Sequence, residues 1–289
     1  MISEDPPYLL HQDQIWRPEA GVQHREEEFH QDAFDVLLNM QKRHFWYRGR
    51  HAFLLAALRK LLGNSTGLAA IDLGGGCGGW VSYLNHREGH RFSELALADS
   101  SQRALEMAGS VVSSSNSRYQ IDLRSLGWRE RWDTVFLLDV LEHIPDDELV
   151  LRQIWQVLKP GGMAFITTPA LKRFWGKNDE IVGHHTRYSA ADFRRFAVNC
   201  GYQETMTRYF MFFLSPLYLI SRMLEGKKAG QMSESEVAAY LSRTHAIPRS
   251  PLNEILSAVF WAESLVGLDW SFPWGTSVLC VLRKPTPDD

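Results

Sequence analysis

Cysteine is scarce in this chain. Cys77, Cys200 and Cys280 stand far apart and form no CxxC pair, which argues against a disulfide framework or a zinc knuckle and suits a reducing compartment. An excess of positive charge is missing too. With 31 Lys and Arg against 34 Asp and Glu, the net charge is −3, so no broad positive field draws the protein to a polynucleotide. Nucleic acid is therefore not the expected substrate. Neither a phosphate-gripping GxxxxGK[ST] nor a serine-hydrolase elbow occurs. The most apolar run, Phe210 to Ser221, is interrupted by Pro216 and followed by Arg222, and it falls short of the roughly 20 residues a bilayer-spanning helix needs. A buried cap helix is expected there in preference to membrane contact. Residues Met1 to Gly21 carry acids and prolines in place of a basic and then apolar leader. No signal peptide is read, and a cytoplasmic protein is expected.

What the chain does have is glycine, concentrated in one place. Ala70-Ile71-Asp72-Leu73 is a short apolar run ending near an acid, and Gly74, Gly75, Gly76, Gly78 and Gly79 follow at once. That is how a buried strand hands over to a tight turn and a helix. Gly74, Gly76 and Gly79 fit the GxGxxG dinucleotide pattern. Asp72, Gly74, Gly76 and Gly78 equally fit a D-x-G-x-G-x-G loop that grips S-adenosylmethionine. Asp72 favours the second pattern, because a buried carboxylate needs a cation or donors, and the ammonium of an amino acid ligand supplies one. Strand and helix alternate from there, as in a parallel sheet. Strands are expected at 68–73, 95–98, 118–120, 133–138 and 163–167, with helices at 80–86, 102–112 and 146–158. Asp99 ends the second strand, where an acid accepts from both hydroxyls of a ribose. Asp122 follows the third strand and can accept from an adenine amino group.

Ile71 to Gly79, Leu97 to Ser100, Asp122-Leu123, Leu138 to Ile144 and Leu158-Lys159-Pro160-Gly161-Gly162 resemble, in order and spacing, the successive motifs of class I S-adenosylmethionine-dependent methyltransferases. The likeness covers about residues 45 to 205. It implies an α/β, Rossmann-like, seven-stranded, mostly parallel sheet with helices on both faces and a helical cap, the last antiparallel strand coming from residues 277–282. It also implies S-adenosylmethionine as cofactor, with Asp72, Gly74, Gly76 and Gly78 at the methionine portion, Asp99 and Ser100 at the ribose, and Asp122 and Leu123 at the adenine. Asp139 represents the family's acid after the fourth strand, and His143 packs on the cofactor. The N-P-P-Y type motif of nucleic acid amino-methylating enzymes is replaced by Asp139-Val140-Leu141-Glu142. A small-molecule or lipid-like acceptor, methylated on oxygen or nitrogen, is expected. The alternatives are an NAD(P)-dependent oxidoreductase and a non-catalytic cofactor-binding protein.

The remaining expectations concern the acceptor side. Residues 1–28 are read as a loose segment without chemistry, 29–66 as a helical lid, 67–209 as the cofactor-binding core, 210–275 as a helical cap with a flexible spacer at 225–236, and 276–289 as the last strand and tail. Between two lid helices, His44-Phe45-Trp46-Tyr47-Arg48-Gly49-Arg50 is either an aromatic plug or a lid that offers Tyr47 and Arg48 to the ligand's carboxylate. After the fifth strand a loop, 169–189, carries His184, His185, Arg187 and Tyr188. Either histidine can deprotonate an acceptor near neutral pH, with Tyr188 as a further catalytic candidate. The competing reading is that these side chains pin the loop. Asp179, Glu180, His184 and His185 form a metal set only on paper, because adjacent histidines point apart, and no metal is expected.

Overall fold

The computed structural model describes residues 8–25, 33–223, 230 and 232–289. Residues 1–7 and 26–28 of the expected loose segment, 29–32 of the lid, and 225–229 and 231 of the expected spacer lie outside it. The described part of the first segment is not loose. Tyr8–Leu10 (β1) and Ile15–Pro18 (β2) form an antiparallel pair that joins the edge of the sheet. Short helix α1 (Ala33–Met40) and long helix α2 (Phe45–Leu62) follow. His44 accepts from the Trp46 N–H at the head of α2, and Phe53, Leu54, Ala57 and Leu58 are buried along one stripe of it.

The alternating core comes next: β3 (Leu68–Leu73), α3 (Gly79–Glu88), β4 (Phe92–Asp99), α4 (Gln102–Ala108), β5 (Arg118–Gln120), β6 (Trp132–Leu138), α5 (Asp147–Val157) and β7 (Leu158–Pro169). The Lys-Pro-Gly-Gly segment, between the helix expected at 146–158 and the strand expected at 163–167, lies inside β7, where Gly161 donates to the Lys284 carbonyl and Gly162 accepts from its N–H. Beyond β7 come α6 (Lys177–Ile181), α7 (Ala190–Cys200), β8 (Gln203–Phe210), α8 (Ser215–Met223), α9 (Glu234–Thr244), α10 (Leu252–Val266) and β9 (Ser277–Arg283). The loop expected at 169–189 thus contains a short helix, and Ser233 caps α9 where the spacer was expected.

The nine strands lie in the order β1-β2-β5-β4-β3-β6-β7-β9-β8. This corrects the expected seven: β3 to β9 make seven strands, and the β1-β2 hairpin adds two beside β5. The pairs from β2 to β7 are parallel, whereas β9 runs antiparallel to both β7 and β8. Side chains alternate between two cores. Ile71, Leu73, Val135 and Leu137 face α5 and α7, while Ala70, Phe136 and Leu138 face α2, α3 and α10. Asp72, between Ile71 and Leu73, is on the second face.

The 210–221 run is only half buried. Phe210, Met211 and Leu214 are covered, but Phe213, Leu217 and Ile220 are exposed, because the helix begins only at Ser215 and presents one face to the core. Among the described residues no helix is long and apolar enough to cross a membrane.

Candidate active site

The β3–α3 turn lies against the tip of β4. The N–H groups of Gly74 and Gly75 both donate to the Ala98 carbonyl, at 2.8 and 3.1 Å. Gly74 has φ +70°, and a Cβ on it would come within 2.8 Å of Val140. Gly78, at φ +77°, would meet Val112 at 2.5 Å. Side chains are thereby excluded from both positions, and the backbone itself forms the floor of a cleft at the C-terminal ends of the strands. That cleft holds a cavity of about 190 Å³ and opens to solvent at its mouth.

Acids surround the turn. Asp99 Oδ2 accepts from the Gly76 N–H and Oδ1 from the Ser101 N–H, both at 2.9 Å, so this residue braces the loop as well as facing the cleft. Asp72 is buried, and its Oδ1 has no hydrogen-bond partner among the described residues. Burial pushes its carboxyl up to about 7; the Arg50 charge opposes this and the Asp99 charge adds to it. An orphaned buried carboxylate oxygen in this position fits the ammonium end of S-adenosylmethionine. Asp122 is paired with Arg25 at 2.7 and 3.1 Å and accepts from the Arg124 N–H. Burial works against its charge, but these donors hold its carboxyl below the usual range.

Tyr47, Asp72, Gly74, Gly76, Asp99, Ser100, Asp122, Leu123, Asp139 and His143 all line this one cleft. Gly78 does not, and its place is the left-handed cap of α3. Arg48 does not either: it is exposed and borders a separate hollow beside α10. Two residues along the helix, buried Arg50 takes the place expected of Arg48. Its guanidinium pairs with Asp139, at 4.8 Å from the Trp46 ring and 5.1 Å from the Tyr47 ring. Asp139 itself has φ +57° and accepts from Thr167 Oγ1 at 3.2 Å. His24 and Arg25, in the segment given no chemistry, also line the cleft, with His24 Nδ1 2.8 Å from Ser100 Oγ. Nothing short-range in the sequence marks them.

A single turn after β6 carries Glu142 and His143, of which His143 lines the cleft. Glu142 is fully buried, and neither carboxylate oxygen has a hydrogen-bond partner among the described residues. Burial, with the charges of Asp139 and Asp179 adding to it, raises its carboxyl well above the usual range. The His143 and His184 rings meet edge to face, 4.7 Å between centroids. His184 Nδ1 is 2.9 Å from Asp179 Oδ1, and Arg187 pairs with both oxygens of Asp179 at 2.8 and 3.1 Å. Burial opposes the Asp179 charge, but His184 and Arg187 hold its carboxyl below the usual range.

The other two histidine-loop candidates lie apart. The His185 side chain is exposed, and its backbone N–H donates to the Glu142 carbonyl at 2.7 Å. The Tyr188 hydroxyl is buried behind the cleft wall, 3.3 Å from the Leu141 carbonyl and 3.1 Å from Asp147 Oδ2. Burial and the Asp147 charge raise its hydroxyl far above the ordinary range.

Known proteins share this fold. Over 117 residues the chain is 27% identical to a ubiquinone biosynthesis O-methyltransferase of Leptothrix cholodnii, covering 38% of this chain and 48% of that one. The match thus spans about half the length of that curated relative. A solved complex of the Haloferax volcanii Trm112 methyltransferase activator with a methyltransferase superposes with a TM-score of 0.56 at 17% identity, covering 88% of this chain and 96% of that one. Haemonchus contortus phosphoethanolamine N-methyltransferase 2, solved with S-adenosyl-L-methionine, gives 0.52 at 17% identity over 80% of this chain and 52% of that one. At such identities the two structures speak for the fold alone. The family model described as Methyltransferase domain matches residues 45–205, more than half of the 289. The chain belongs to the class I methyltransferase family, whose methyl donor is S-adenosylmethionine.

Proposed function

We propose that this chain transfers a methyl group to a hydroxyl oxygen of a small-molecule acceptor. One observation carries the reading: a single cleft is lined by a cofactor-type glycine turn with an orphaned carboxylate, Asp72, and by His143, which stands beside buried Glu142 and partly buried His184 in its wall. When bound, S-adenosylmethionine supplies a methyl on a cationic sulfur, which departs as a neutral thioether as the acceptor oxygen takes the carbon. Asp72 and the Gly74–Gly76 backbone would hold the methionine portion, Asp99 and Ser100 the ribose, and Asp122 with Leu123 the adenine. Tyr47, Trp46 and Arg50 would close the cleft from α2 and keep water out. A hydroxyl must shed its proton as it is methylated, and the clustered titratable groups Glu142, His143 and His184 are the candidates to take it. Oxygen is chosen over nitrogen on the strength of the O-methyltransferase relative.

Two measurements test this. Calorimetry should find binding of S-adenosylhomocysteine and none of NADH. Incubation of the protein and a methyl-labelled cofactor with a small-molecule extract should label a product that releases its methyl as an ether does. A labelled amine would exclude oxygen, and no labelled product at saturating cofactor would remove the catalytic reading.

A further inference from the structure

We propose that Glu142, His143 and His184 form a binding site for a divalent metal cation at the acceptor end of the cleft. The part such an ion plays in catalysis rests on the methyltransferase reading above; its binding does not. One ligand atom from each of the three side chains lies within 4.8 Å of the others. Glu142 is fully buried, with both oxygens lacking a hydrogen-bond partner among the described residues. An unpaired buried carboxylate is costly, and Arg187, the cation on the neighbouring loop, is taken by Asp179.

The orientation of His184 points the same way. Its Nδ1 faces Asp179, so the hydrogen is assigned there, which leaves a lone pair on Nε2, 4.0 Å from Glu142 Oε1. That separation is too long for a hydrogen bond. An ion held at about 2.0–2.2 Å from each atom could bridge it, spanning the full distance between opposite ligands of a six-coordinate shell and drawing the two atoms closer in a tetrahedral one. A carboxylate behind the imidazole, as Asp179 is, is the usual support of a metal-binding histidine. His143 lines the open cleft, so the ion would keep a face toward an incoming ligand. Two imidazoles and one carboxylate favour Mn²⁺, Fe²⁺, Co²⁺ or Zn²⁺ over Ca²⁺. The set differs from the one legible on the loop. His184 finds its partners on the turn after β6, and not in Glu180 and His185 beside it. An ion there would bind an acceptor hydroxyl and lower its pKa, the proton passing to solvent through the mouth of the cleft.

The full chain, dialysed against EDTA, is titrated with Mn²⁺ and followed by EPR, with Zn²⁺ as competitor. The expected result is one Mn²⁺ per chain, displaced by Zn²⁺, with pulsed spectra showing ¹⁴N coupling from coordinated imidazole. Glu142→Gln should weaken Mn²⁺ binding by at least about tenfold while leaving S-adenosylhomocysteine binding intact. Lack of binding of either metal by the unaltered chain, a bound Mn²⁺ without imidazole coupling, or full affinity in a folded Glu142→Gln protein overturns the proposal. If Glu142→Gln fails to fold, the imidazole coupling of the unaltered chain decides. Failure of the unaltered chain to bind S-adenosylhomocysteine would count against the methyltransferase reading instead, since the metal titration requires no cofactor.

Discussion

The two ends of the cleft satisfy buried charge in different ways. At the glycine turn, Asp99 accepts from backbone N–H groups of Gly76 and Ser101, which the chain places wherever β3 and β4 end side by side. At the acceptor end, Asp179 is held by side chains, His184 and Arg187, and Glu142 by no hydrogen bond among the described residues. A site made of backbone depends on the turn and tolerates changes around it. A site made of side chains depends on which residue stands opposite.

The largest effect that would break this contrast is expected at Asp99. Asp99→Ala removes the acceptor proposed for the ribose hydroxyls and also frees the Gly76 N–H, so S-adenosylhomocysteine binding should weaken by about 1.5–3 kcal/mol, roughly 10- to 150-fold. Calorimetry at constant pH measures it. Unchanged affinity would show that the turn holds the cofactor without its acid and would remove the ribose assignment.

Asp72 should give a smaller, pH-dependent effect. In the empty cleft its carboxyl is pushed up to about 7 by burial, so below that pH it is largely protonated and cannot pair with an ammonium. Cofactor affinity should therefore rise with pH toward 7 by at most about tenfold per unit and level off above it, and Asp72→Asn should flatten the profile. The same shift has the opposite sign for the empty protein. The unfolded chain ionises first, near 3.8, so the stability contributed by the neutral acid falls as pH climbs from there toward 7. A profile for the Asn variant that matches the unaltered chain would assign the slope to another group.

How much of each end was legible follows from the same difference. Asp72 and Asp99 stand just where apolar strands end, Asp72 with the glycines directly after it, so the local pattern marks them, and Asp122 is marked by its place after these two. Arg50 was overlooked in favour of Arg48 because the choice depends on which face of α2 meets the cleft, and Asp139 lies 89 residues away. Glu142 reads as an ordinary acid until the fold sets His184 opposite it. The β1-β2 hairpin was missed because strands of three and four residues are too short to display an alternation of period two. The parallel strands β3, β4, β6 and β7 were legible because buried parallel strands write themselves as apolar runs.

The smallest expected effect tests whether the histidine loop is read correctly now. Tyr188 shares a segment with His184 and has the residue type of a catalytic acid or base, yet its hydroxyl is buried against the Leu141 carbonyl and Asp147. Those bonds tie the loop to the turn that carries Glu142 and His143. Tyr188→Phe should then lower stability to denaturant by about 0.5–1.5 kcal/mol, the net worth of a hydrogen bond, with turnover of the folded protein within about twofold. His185→Ala, on an exposed side chain, should change neither quantity. If Tyr188→Phe left stability untouched and abolished turnover, the hydroxyl would have to reach the cleft in a conformation other than this one, and the acceptor end would need to be rebuilt around the loop instead of around Glu142.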